Sequence, residues 1–145
     1  MMRLTRAGDY ALRVMFILAK LKPGQVSSKS ELAKSQEVPS SFLSKILQQL
    51  AAKGLILSHR GVRGGFSLSR KPEDISLLEI IEAVEGPLQM NSCVIPEKKN
   101  CQRMENCPGA NVWRKVQAEM VRLFSGISLH SMVEEHGNRP VGPCR

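Results

Sequence analysis

A mainly α-helical chain carrying one two-stranded hairpin is the fold class this sequence predicts. Three observations carry that expectation. Apolar residues recur at helical spacing along most of the chain. Two short strand-like runs flank a single glycine-rich turn. Apolar residues make up 42% of the 145 positions and aromatics only 4%, so a core exists and is built from Leu, Ile, Val, Met and Ala.

The elements follow in order. Residues 4–21 read as a first helix, capped by Thr5, with Tyr10, Val14, Met15, Leu18 and Leu21 on one face. Leu12, Phe16 and Ile17 widen that face, and "KPGQ" ends the helix. Ser28 and Glu31 have the spacing of a capping box and open a second helix. After the turn "EVPS", "SFLSKILQQLAAKG" forms a third helix with two faces. Phe42, Leu43, Ile46, Leu47 and Leu50 are expected on the buried side. Ser41, Ser44, Lys45, Gln48 and Gln49 are expected outside, and Gly54 ends the helix. "LILSH" and "FSLS" read as strands joined by "RGVRGG". "SLLEIIEAVEG" is a fourth helix stopped by Gly86 and Pro87. "NVWRKVQAEMVRLFSGI" is a long amphipathic helix, and "SLHSMVEEH" a shorter one.

Helix, helix, turn, helix, then a two-stranded ribbon is the order of a winged helix-turn-helix. The expected units are 1–86 for that DNA-binding domain, 87–110 for a cysteine-bearing loop, 111–136 for a pairing helix with a short C-terminal helix, and 137–145 for a disordered tail. In such folds the second helix of the pair enters the major groove. Its polar residues here, Ser41, Ser44, Lys45 and Gln48, can hydrogen-bond base edges or phosphates. The hairpin tip carries Arg60, Gly61 and Arg63, and an arginine held close to the backbone suits a narrow minor groove. The net charge of +8 agrees with a polyanionic partner. In the long helix, Trp113, Val116, Met120, Leu123 and Ile127 alternate spacings of three and four. That seam suits a homodimer, as a two-fold symmetric operator in double-stranded DNA requires.

No apolar run approaches the roughly 20 residues that span a bilayer. "YALRVMFILAKL" is interrupted by Arg13 and Lys20, so no membrane partner is expected and a cytoplasmic location follows. There, thiols stay reduced. Three of the four cysteines lie in "CVIPEKKNCQRMENCPG", separated by seven and then five residues. Neither gap fits the C-x2-4-C of structural zinc sites, and ferredoxin runs use shorter gaps. The setting is polar, unlike that of buried structural cysteines. Were Cys107 at the N-cap of the long helix, Pro108 would occupy the first helical position and the helix end would favour a thiolate. The residues alone leave a soft-metal or iron–sulfur site open beside a thiol switch and unrelated thiols. No phosphate loop, metalloprotease motif or Ser–His–Asp spacing suggests catalysis.

"MRLTRAGDYALR", "FLSKILQQLAAKGLI", "RGVRGGFSLSR", "SLLEIIEAVEG" and the three cysteines together resemble the winged-helix iron–sulfur transcription regulators that include IscR, NsrR and RirA. The resemblance covers nearly all of residues 2–136. It implies a homodimeric regulator, expected to repress, whose operator binding is set by a 2Fe–2S or 4Fe–4S cluster responding to iron, nitric oxide or redox state. Cys93, Cys101 and Cys107 are the implied ligands. Ser41, Ser44 and Lys45 would face the major groove and Arg60 the minor groove. The seven-then-five gap is similar to that of RirA. IscR-like members have a histidine where this chain has Ala110, so that fourth ligand is absent. NsrR-like members have an aspartate reaching the partner's cluster, and Asp9 matches it. Cys144 is a further thiol, and a carboxylate at Asp9 also simply favours the helix dipole. Two rivals remain: a cluster-free thiol–disulfide repressor, and an iron–sulfur carrier with no DNA role.

Overall fold

The structure, a computed structural model, describes residues 4–91, 94 and 101–139. Cys93, Cys144 and the tail from Pro140 lie outside the described residues. Helix α1 (Arg6–Ala19) opens at Thr5, whose hydroxyl accepts the Ala7 N–H. Helix α2 (Lys29–Gln36) has the expected capping box: the Glu31 N–H donates to Ser28 Oγ at 3.1 Å, and the Ser28 N–H donates to Glu31 Oε2 at 2.8 Å. That backbone hydrogen bond from Ser28 lowers the pKa of Glu31. Glu37, at φ 53°, turns the chain into helix α3 (Ser40–Ala52). Strands β1 (Ile56–His59) and β2 (Gly65–Leu68) pair antiparallel, from Ile56 opposite Leu68 to His59 opposite Gly65. Ser27 bridges Phe66 through two backbone hydrogen bonds, so the loop before α2 joins the wing. A Cβ on Gly65 would lie 2.5 Å from the Ser27 carbonyl oxygen, and only glycine permits this approach.

One core joins these elements. Ala11, Val14 and Met15 of α1, Leu32 of α2, and Leu43 and Leu50 of α3 are completely buried. They meet Ile75, Ile80 of helix α4 (Leu77–Glu85), and Leu129 of helix α6 (Leu129–His136). Helix α6 therefore packs back on α1 and on the 3-10 turn Pro72–Asp74. Phe42 departs from the sequence expectation. It is 41% exposed, and its ring packs edge to face with Tyr10, ring centroids 5.6 Å apart, while the next residue, Leu43, takes the core position. Arg13 departs in the other direction: it is buried and paired to Asp9. Among the described residues no helix is long and apolar enough to cross a membrane.

A second capping box, Ser76 with Glu79, starts α4, and Gly86 ends it. Burial opposes ionisation of Glu79. Hydrogen bonds from the Ser76 backbone, Arg70 and the Ser76 hydroxyl outweigh it, and the pKa falls below the ordinary carboxylate value. Helix α5 (Ala110–Gly126) starts one residue before the run that the sequence marks, and Cys107 is not its N-cap. Gly109 is its N-cap, so Pro108 precedes the cap and does not fill the first helical position. Cys107 stands two residues before the cap, in extended conformation, with its carbonyl accepting the Ala110 N–H at 3.2 Å. Beyond α6, Gly137–Arg139 remain tied down. Lys20 Nζ donates to the Gly137 carbonyl, and the Arg139 guanidinium donates to the carbonyls of Glu135 and His136.

Candidate functional site

The candidate DNA-facing surface comes from the amphipathic register of α3. Leu43, Ile46, Leu47 and Leu50 anchor one side in the core, which leaves Ser41, Lys45 and Gln48 exposed on the other. Ser44 is half-exposed. Its hydroxyl donates to the Ser40 carbonyl at 3.1 Å, so toward a ligand it is an acceptor. The wing projects Arg60, Gly61, Val62 and Arg63 into solvent, with Val62 wholly exposed and Gly61 at φ 113°. At its root, His59 Nε2 and Ser67 Oγ lie 2.7 Å apart across the strands. The arrangement offers one cationic helix face and one guanidinium-bearing tip, both free of acidic ion-pair partners among the described residues. That is a surface for phosphates and groove edges.

Two of the three clustered cysteines are described. Cys101 and Cys107 are free thiols, each half-exposed, on either side of the short 3-10 turn Met104–Asn106. Next to Cys107 the packing is tight. A Cβ on Gly109 would lie 3.1 Å from Trp113 Nε1 and 3.8 Å from Cys107 Sγ. The indole edge and the sulfur thus share the space above one glycine. Sequence periodicity had placed Trp113 only in the pairing seam. The glycine immediately before the helix was the available signal.

Asp9 lies in the first turn of α1, with its carboxylate 2.9 Å from the buried Arg13 guanidinium. Arg13 also stands 6.0 Å from the centre of the Tyr10 ring, and Tyr10 touches Phe42 at the start of α3. A contact path therefore leads from Asp9 to the start of α3. The start of α1 is fixed by Glu85, whose Oε1 accepts from the Thr5 N–H at 2.9 Å, the Thr5 hydroxyl at 2.6 Å and the Gly8 N–H at 3.1 Å. No local pattern signals this link, because the partners lie about 80 residues apart with no shared periodicity. Among the described residues no three His, Cys, Asp or Glu side chains converge as a metal set. Asp9 and the two described thiols are thus not brought together within one chain.

The seam on α5 is largely uncovered. Trp113 is 38% and Leu123 60% exposed, whereas Val116, Met120 and Ile127 are half-buried. Val116, Met120, Leu123 and Ile127, with Lys115, Glu119, Arg122 and Gly126, line a shallow groove of about 660 Å³. His130 lies 3.5 Å from Glu73 and 3.2 Å from Glu134, and it does not line this groove.

Comparisons with known proteins agree with this geometry. The Rrf2 family, described as "Iron-dependent Transcriptional regulator", matches residues 4–135. The HTH-type transcriptional regulator NsrR of Bacillus subtilis is 27% identical over 133 residues, covering 92% of this chain and 91% of its own. Among solved structures, T. potens IscR superposes with a TM-score of 0.74 at 25% identity, over 97% of this chain and 94% of its own. The oxidized form of Staphylococcus aureus CymR gives 0.68 at 25% identity, over 92% and 97%. NsrR is an HTH-type transcriptional regulator, and DNA-binding regulation is the role these comparisons support. This chain belongs to the Rrf2 family of winged-helix transcriptional regulators.

Proposed function

We propose that this regulator is a homodimeric repressor whose grip on a two-fold operator is controlled by an iron–sulfur cluster. One observation carries the reading: in a chain of a family described as iron-dependent, Cys101 and Cys107 are free, half-exposed thiols on the loop between the DNA-binding unit and α5. Thiolates are the usual ligands of such clusters, and these two are accessible to one. Cys93, Cys101 and Cys107 would hold it, with Asp9 supplied by the partner subunit. When bound, the cluster would supply bonds that tie the loop's thiolates together and to the other subunit. The rest rests on this chain's own side chains. Ser41, Ser44, Lys45 and Gln48 take the major groove, and Arg60, Gly61 and Arg63 take the minor groove and its phosphates. The α5 seam, Trp113, Val116, Met120, Leu123 and Ile127, pairs the two copies and so sets the distance between their recognition helices. Asp9, through Arg13 and Tyr10, shares a contact path with Phe42 in the first turn of α3. A change at Asp9 therefore bears on the helix that reads DNA.

The test is anaerobic purification with absorption spectra and iron and sulfide analysis. Iron and sulfide in comparable amounts, lost on replacing Cys93, Cys101 or Cys107 by alanine and retained in Cys144→Ala, support the reading. Asp9→Ala should shorten retention of iron. The chain's one tryptophan, beside Cys107, adds a fluorescence signal that should change on loading. Colourless, iron-free protein after attempted reconstitution contradicts it. One rival has support of its own, since the fold is shared with a CymR crystallised in an oxidized form. A thiol switch of that kind predicts DNA binding that responds to peroxide with no iron present.

A further inference from the structure

Helix α5 packs on α4, and among the described residues it is hydrogen-bonded to the DNA-binding unit at two places that differ in kind. Its C-terminal end is joined through the main chain. The Leu77 N–H donates to the Ile127 carbonyl at 2.8 Å, the Leu129 N–H donates to the Ile75 carbonyl at 2.8 Å, and Ser76 and Ser128 form a bridge. Its N-terminal half, which also packs on α4, is hydrogen-bonded to the rest of the chain, among the described residues, through the side chain of Gln117. Gln117 Nε2 donates to the Leu88 carbonyl, and Gln117 Oε1 accepts the Met90 N–H at 2.9 Å. The side-chain amide thus reads the carbonyl of one residue and the N–H two residues on, as the backbone of a parallel neighbouring strand would. The remaining backbone donor of Leu88 goes to Glu82 Oε1 on α4, at 2.9 Å. Leu88 itself is buried. The segment 88–90 is therefore pinned between α4 and α5 by two side chains, one from each.

Gln117 occupies the face of α5 that looks back at its own chain. Ala110 is buried, and Gln117, Val121 and Phe124 are half-buried at helical spacing, while Leu123 on the seam is 60% exposed. A glutamine in that stripe adds little apolar burial. What it adds is direction, because an amide bonded at both atoms fixes the rotation and distance of the helix against the segment it reads.

We infer that Gln117 is a positioning residue: a latch that sets the angle of α5 against the DNA-binding unit. Without it, the N-terminal half of α5 pivots about the main-chain joint at Ser76 and Ser128. Cys107 and Trp113 lie in or beside the half that moves. In a dimer paired through α5, that angle fixes the separation of the two recognition helices. The inference rests on the dimeric reading for its effect on DNA, but not for the latch itself.

The experiment uses Gln117→Met, close in shape and without the amide, and Gln117→Glu, which keeps the acceptor for Met90 and places a carboxylate against the Leu88 carbonyl. The DNA probe is a duplex selected from random sequence by the wild-type protein, with a scrambled duplex as control. Both variants should keep wild-type helix content by circular dichroism. Met90 amide exchange should rise at least about 10-fold in Gln117→Met and less in Gln117→Glu. Affinity for the selected duplex should fall about 5-fold or more, with the scrambled duplex bound as before, since its phosphate contacts do not depend on half-site spacing. Unchanged Met90 exchange overturns the latch. Faster exchange with undiminished affinity for the selected duplex overturns its role in spacing. Should wild-type protein sediment as a monomer on that duplex, the dimeric reading fails and the spacing role with it, while the exchange rates still decide the latch.

Discussion

Helices α3 and α5 are both amphipathic, α3 through Leu and Ile and α5 through Val, Met, Leu and aromatic residues, yet their apolar faces meet different fates. In α3, Leu43, Ile46, Leu47 and Leu50 are at most 3% exposed, covered by α1, α2 and α4. In α5, Trp113 and Leu123 are 38% and 60% exposed, and the groove beside them is open. The pattern that builds an apolar face says nothing of what covers it. Helix α3 has its core residues covered within its own chain, and its polar side is left to solvent, as the proposed DNA reading needs. Helix α5 spends only one side on its own chain, and the other suits a second copy.

The comparison can be broken in order of expected effect. Leu50→Ala should cost about 2–5 kcal/mol, read by urea unfolding, and the loss should not depend on protein concentration. Leu123→Asp should leave helix content intact but weaken self-association at least about 10-fold by sedimentation, about 1.4 kcal/mol. A Leu123 variant that unfolds the monomer would place this residue in the chain's own core. Glu85→Ala removes the acceptor for three donors at the start of α1, and should cost about 1–2 kcal/mol in the same urea assay. The smallest effect concerns Glu79. Its pKa is lowered in the folded state, so its stabilisation is complete above the unfolded-state value and fades as pH falls through the folded one. Stability of wild-type protein should therefore decline on acidification through that window, and less steeply in Glu79→Gln.

Much of the fold was legible because its signals are local. The Ser28–Glu31 box, the strands around "RGVRGG" and the glycine stops at Gly54 and Gly86 are each written within a few residues. The Ser76–Glu79 box carries the same S-x-x-E signal, but it opens onto an apolar run that dominates the local pattern. Pro108 misled because proline fits the position before an N-cap as well as the first helical position. What had no local signal is what ties the site together. Glu85 reaches Thr5 and Gly8, Gln117 reaches Leu88 and Met90, and Arg13 is buried beside Asp9. Single polar residues do this by long-range hydrogen bonds, and periodicity registers only apolar faces. For the candidate site, the exposed residues of α3 and the wing could be anticipated from amphipathic register. The packing of Trp113 over Gly109 beside Cys107 could not.

The central claim is that iron governs the grip on DNA. Its most direct test measures the affinity of anaerobically purified wild-type protein for its selected duplex, before and after iron is removed by a chelator with thiols kept reduced. The account predicts a change of at least about 10-fold, about 1.4 kcal/mol, with binding to scrambled duplex unaltered. Equal affinity for the selected duplex with and without iron would contradict it.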